Sequence, residues 1–66
     1  MKSLAVCLYR WRRAKGYTQR QMADLLAVHR TSYTKYETGV VDPPLETLCR
    51  IADLLQCTTD ELLGRI

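Results

Sequence analysis

Sixty-six residues allow a single domain, 1–66, with a hydrophobic core near the lower limit for independent folding. An apolar fraction of 47%, with only three glycines and two prolines, describes a folded chain and not a solvated tail. No run approaches the ~18–20 consecutive apolar residues of a membrane span, and the basic, broken N-terminus does not read as a signal peptide. No membrane association and a cytoplasmic location are therefore expected.

The net charge of +3 conceals an asymmetry: residues 1–36 carry eight cations against Asp24 alone, and residues 37–66 carry two cations against six acids. A chain polarised in this way presents its first half to an anion such as phosphate and holds its second half away. Basic residues on a solvated helix surface would give the same count, so charge alone does not decide.

Helix 1 is predicted from Ser3 as N-cap to about Lys15, with Gly16 ending it. Leu4, Leu8 and Trp11 form its buried stripe at i, i+4 and i+7, and Arg10 and Arg13 face outward. Thr18 and Gln21 have the spacing of a capping box for helix 2, about Gln19 to Leu26, whose apolar face is Met22, Ala23, Leu25 and Leu26. Gln19 lies in its first turn, where free backbone N–H groups favour phosphate.

After a tight turn, helix 3 runs from about Arg30 to Glu37 and stops at Gly39, a natural position for positive φ. Tyr33 and Tyr36 continue a buried face, although a rim hydroxyl on Tyr33 touching phosphate stays open. Arg30, Thr31, Thr34 and Lys35 fall on the other side, and a helix of this kind can lie in a DNA major groove. Pro44 suits the first position of helix 4, with Pro43 extended before it, and Leu45, Leu48, Ile51, Ala52 and Leu55 close the core. Thr58 and Glu61 form a second capping box before a short helix 5 carrying Leu62 and Leu63. No internal repeat, linker or low-complexity segment is expected. The sum is an all-α bundle of five short helices containing a helix-turn-helix.

The segment Tyr17–Gly39 resembles the helix-turn-helix of the lambdoid phage repressors and the wider Xre-like regulators. Leu8, Trp11-Arg12, Gly16, Thr18-Gln19, Leu26, Val28, Glu37, Gly39, Pro43, Leu45-Glu46-Thr47-Leu48, Ile51-Ala52, Leu55 and Asp60–Leu63 fall in the same register, so roughly the whole chain is covered. The resemblance implies sequence-specific binding to double-stranded DNA by a transcriptional regulator, most simply a repressor, acting as a homodimer on a palindromic operator. Leu63, Ile66 and the helix 4–5 region are the surface expected to pair. The DNA-binding set is Thr18, Gln19, His29, Arg30, Thr31, Ser32, Thr34 and Lys35. Within it Gln19 touches the backbone in the lambdoid pattern, Arg30 is placed to reach guanine, and Thr31 meets a thymine methyl or a phosphate. His29, at the N-cap of helix 3, points at phosphate or a base edge. Arg12 could contact phosphate, but the resemblance favours a structural pair between Arg12 and Glu37.

Two departures stand out. Ala27 replaces the usual glycine of the turn, where a left-handed alanine costs on the order of 1 kcal/mol. Val40-Val41-Asp42 replaces the basic loop of many relatives, so phosphate anchoring there is weaker, or the valines meet a partner protein.

Cys7, Cys49 and Cys57 form no CxxC and His29 is the only histidine, so the cysteines are expected to be small buried or half-buried thiols, with no metal site. No glycine-rich phosphate loop or paired carboxylates suggest an enzyme, and no cofactor is implied. Two other classes remain. One is an antitoxin binding DNA and a protein toxin; the other is an interaction module that has lost DNA binding, which would have little reason to keep the Arg30–Lys35 face cationic.

Overall fold

The computed structural model describes residues 2–65, and for Lys2 the backbone alone. The chain folds into five helices: α1 (Lys2–Lys15), α2 (Gln19–Leu26), α3 (Arg30–Thr38), α4 (Leu45–Leu55) and α5 (Thr59–Leu62). No strand occurs among the described residues. Helix α1 packs against α3, α4 and α5, and α2 against α3 and α4, so α1 is the central strut on which both halves rest. Leu4, Leu8, Met22, Leu26, Tyr33, Ile51, Leu55 and Leu62 meet in one core, with Trp11, Tyr17, Val28 and Leu63 partly buried against it.

Both capping boxes form as expected. Thr18 accepts from the Gln21 N–H at 3.0 Å while Gln21 Oε1 accepts from the Thr18 N–H at 2.8 Å. Thr58 and Glu61 repeat the exchange at 3.0 and 2.9 Å. Two boundaries shift by about one residue. Ser3 is exposed inside α1, which already includes Lys2, and so is not its N-cap. Pro44 is the N-cap of α4 and not its first residue, leaving Leu45 to begin the helix.

Two leucines expected in the core lie outside it. Leu45 is 75% exposed. In a first turn the side chain leans toward the N-terminus of its helix and so projects past the elements it would pack on. Leu25 is 47% exposed. At about 100° per residue, Ala23 and Leu26 fall on one side of Met22 and Leu25 lies about 60° beyond it on the other. Its carbonyl accepts from Arg50 Nη2 at 3.3 Å.

Ala27 is left-handed, φ 57° and ψ 40°, so the turn keeps its shape without glycine. Gln56 ends α4 in the same conformation, φ 56° and ψ 44°. The equivalence has a local cause that the expectation of no repeat passed over: Ala-Asp-Leu-Leu occurs at 23–26 and again at 52–55. In each copy the N–H two residues past the last leucine returns to the alanine carbonyl. Val28 reaches Ala23 and Cys57 reaches Ala52, both at 3.0 Å, and Val28 and Cys57 each pack against the core. A left-handed residue followed by an apolar one is how a helix end satisfies its last carbonyls while turning the chain. Gly39, φ 79°, closes α3 by the same hand, its N–H on the Lys35 carbonyl.

Cys49 is exposed, contrary to the expectation for the cysteines, because it falls on the outer face of α4, while Cys7 and Cys57 are half-buried. All three are free thiols. Burial chiefly, and Glu61 next, push the Cys57 thiol pKa up, with Lys15 opposing.

Candidate nucleic-acid interface

The α2–turn–α3 unit is held to α1 by one buried ion pair. Arg12 Nε donates to Glu37 Oε2 at 2.6 Å and Nη2 to Glu37 Oε1 at 3.1 Å, a two-pronged contact across 25 residues. Both side chains are almost fully covered, at 7% and 3% exposure. Arg12 Nη1 also donates to the Tyr17 carbonyl at 2.8 Å, which fixes the turn between α1 and α2. Above the guanidinium lies the Tyr9 ring, 5.4 Å from its centroid, with Arg13 at 5.6 Å. The hydrogen bonds that Arg12 donates to Glu37 raise the Arg12 pKa further, against the opposing effect of burial. Arg12 is thus held in the structural pair that the resemblance favoured, with three of its N–H groups bonded within the fold.

Tyr33 is fully buried, and its hydroxyl has no hydrogen-bond partner. The phosphate contact left open for that hydroxyl is therefore excluded: α3 turns the ring inward, edge-on to Tyr36 at 6.2 Å between centroids. Burial first, and the adjacent Glu37 carboxylate second, raise the Tyr33 pKa well above the ordinary phenol range.

Of the remaining candidates, Thr18, Gln19 and Arg30 border one opening. Thr18, His29, Arg30, Thr31 and Lys35 are exposed, and Gln19, Ser32 and Thr34 are half-buried. His29 occupies the N-cap of α3 but makes no side-chain cap, leaving its ring free of the helix start. The Thr34 hydroxyl lies 2.9 Å from the Arg30 carbonyl and 3.1 Å from Gln19 Oε1. Gln19 Nε2 in turn donates to Glu37 Oε1 at 3.1 Å.

A cavity of about 470 Å³ opens between the end of α1, the start of α2 and the start of α3. Thr18, Gln19 and Arg30 line it, together with Arg13 and Arg20, which the sequence reading did not place in the site. The missed signal was the helical register. Arg13 sits in the last turn of α1 and Arg20 in the first turn of α2, so a short turn between the two helices brings both cations to the same opening. Arg12, already paired with Glu37, also lines the cavity. The other three arginines around the first turn of α2 make it a positive concavity, and the unpaired N–H groups of that turn add to it.

A few large apolar residues are exposed outside this face. Val40 is 71% exposed, and Val41 and Leu45 are also exposed. Leu63, expected at a dimer surface, is half-buried against the core, and Ile66 lies outside the described residues. Among the described residues no cluster of His, Cys, Asp and Glu could hold a metal, and no helix is long and apolar enough to cross a membrane.

Comparison with known proteins agrees with this architecture. Residues 8–62 match the helix-turn-helix family. An SPbeta prophage-derived HTH-type transcriptional regulator of Bacillus subtilis, YonR, is 45% identical over 56 residues, which cover 85% of this chain and 52% of the relative. The cryptic phage CTXphi transcriptional repressor RstR of Vibrio cholerae is 50% identical over 54 residues, 82% of this chain and 48% of the repressor. The B. subtilis regulator AnsR is 44% identical over 54 residues, 82% of this chain and 47% of AnsR. The chain thus spans about half the length of these curated relatives. No solved structure matches at a significant level. The chain belongs to the Xre-like, lambda-repressor-type helix-turn-helix family.

Proposed function

We propose that this protein binds double-stranded DNA sequence-specifically as a transcriptional regulator, most simply a repressor that occludes a promoter. The observation that carries the proposal is the exposed start of α3, with Arg30 projecting beside the Arg13–Arg20 cavity at the first turn of α2. A duplex laid against that face would meet base-reading groups on α3 and phosphate-binding groups on α2 together. The relatives named above as transcriptional regulators, one of them a repressor, support the same reading.

Arg30 is assigned to base edges, with Thr31, Ser32 and Lys35 beside it; Thr18, Gln19, Arg13, Arg20 and His29 are assigned to the backbone. One reading helix spans only a few base pairs, so the working unit is a homodimer on a palindrome, with half-sites about 10 base pairs apart. The exposed apolar residues Val40, Val41 and Leu45 supply the surface for pairing. Such a regulator works in the cytoplasm, where its DNA lies. Selection of bound duplexes from a random pool tests the proposal. It should yield one palindromic consensus bound by two protomers; recovery of unenriched sequence would refute sequence-specific binding.

A further inference from the structure

Gln19 is held at both ends of its amide. Its Nε2 donates to Glu37 Oε1 at 3.1 Å, and its Oε1 lies 3.1 Å from the Thr34 hydroxyl, whose one proton is shared with the Arg30 carbonyl at 2.9 Å. An ionised carboxylate can only accept, so the nitrogen must face Glu37 and the oxygen must face Thr34. The orientation ambiguity that usually attends a glutamine is absent here. Glu37 is itself fixed by two bonds from Arg12. The chain Arg12–Glu37–Gln19–Thr34 therefore ties α1 and the recognition helix to the first residue of α2, which lines the arginine cavity.

A carboxylate at the back of a phosphate-facing site would ordinarily repel the ligand. Glu37 is spared that conflict because the Arg12 guanidinium neutralises it, and only 3% of its side chain is exposed. What remains on Gln19 is one unused Nε2 proton, held in place by the bonds around it. We infer that Glu37 and Thr34 are positioning residues for Gln19: they orient its amide so that the free N–H is presented to a DNA phosphate. This inference rests on the DNA-binding reading above. Glu37 thereby has two duties, anchoring Arg12 and aiming Gln19, and Thr34 acts on DNA through Gln19.

The test is a double-mutant cycle on affinity for a 20-base-pair random-sequence duplex at low salt, since a backbone contact carries no base information. Thr34→Val removes one hold and leaves the Arg12–Glu37 pair untouched, and a thermal melt checks that the fold survives. Thr34→Val should weaken binding about 2- to 10-fold, and Gln19→Ala, which removes a bond to an anionic phosphate, about 10- to 100-fold. The double variant should be no weaker than Gln19→Ala alone, and Thr34→Ser should restore binding. Losses that multiply would show that Thr34 touches DNA directly and would overturn the inference while leaving the function standing. A native protein that binds no duplex at all would overturn the functional reading, and this inference with it. A second readout needs no DNA. The Gln19 side-chain amide protons should exchange slowly with solvent in the native protein and rapidly in Glu37→Gln. That variant replaces one acceptor oxygen with an NH2 donor, which must face either Arg12 Nε or both Arg12 Nη2 and Gln19 Nε2, all of them donors. Unchanged exchange would also refute the positioning role.

Discussion

Replacing Ala27 with glycine should make the protein more stable, although it removes a methyl group and adds nothing. Ala27 sits at φ 57° and ψ 40°, where a Cβ crowds the following carbonyl at a cost of about 1–2 kcal/mol. The side chain is exposed, so no packing is lost on truncation. Against the relief stands the larger entropy of an unfolded glycine, about 0.4–1 kcal/mol. The balance is a gain of a few tenths to about 1 kcal/mol, or several degrees in Tm for a domain of this size. Gln56 provides an internal control, because it ends α4 with nearly the same dihedrals and the same return hydrogen bonds. Gln56→Gly should gain slightly less, since Gln56 Oε1 also accepts from Lys15 at 3.4 Å in an exposed contact of little worth. The two turns share no hydrogen-bond partner, so the double variant should be additive within about 0.5 kcal/mol. Urea denaturation with a common m-value measures all three. Equal or lower stability in both single variants would mean that the left-handed residues carry no strain.

Arg12→Met should destabilise the fold by about 3–5 kcal/mol, because Glu37 is left buried and unpaired, and thermal unfolding with an unchanged midpoint would contradict the structural role of the pair. Tyr33→Phe should stabilise by about 1 kcal/mol by removing a buried hydroxyl without a partner. Because the folded pKa of Tyr33 is raised, its contribution is intact below the unfolded value of 10.0 and is lost as pH rises above it. Native protein should therefore lose stability above pH 10 more steeply than the Phe variant, and parallel pH curves would refute the assignment. Arg30→Ala should cost about 1–3 kcal/mol per protomer on the selected operator and much less on scrambled DNA, whereas Arg20→Ala should weaken both alike and lower the salt slope by about one. Equal losses on both duplexes for Arg30→Ala would remove it as base reader.

Local chemistry was enough to place the five helices, both capping boxes, the stop at Gly39 and the inward faces of α1 and α3, because each depends on residues within about one or two turns of one another. The Arg12–Glu37 pair was legible through family resemblance, since no local rule joins residues 25 apart. The exposure of Leu25 follows from its place on the helical wheel, but that of Leu45 was decided only by the assembled bundle, past whose elements it projects. The left-handed Gln56 had a sequence signal in the repeated Ala-Asp-Leu-Leu, yet that signal becomes meaningful only when both copies are seen to end a helix alike. The arginine cavity and the double hold on Gln19 belong wholly to tertiary structure. They join α1, α2 and α3 through side-chain directions, and the crossing of packed helices sets those directions where no spacing along the chain can.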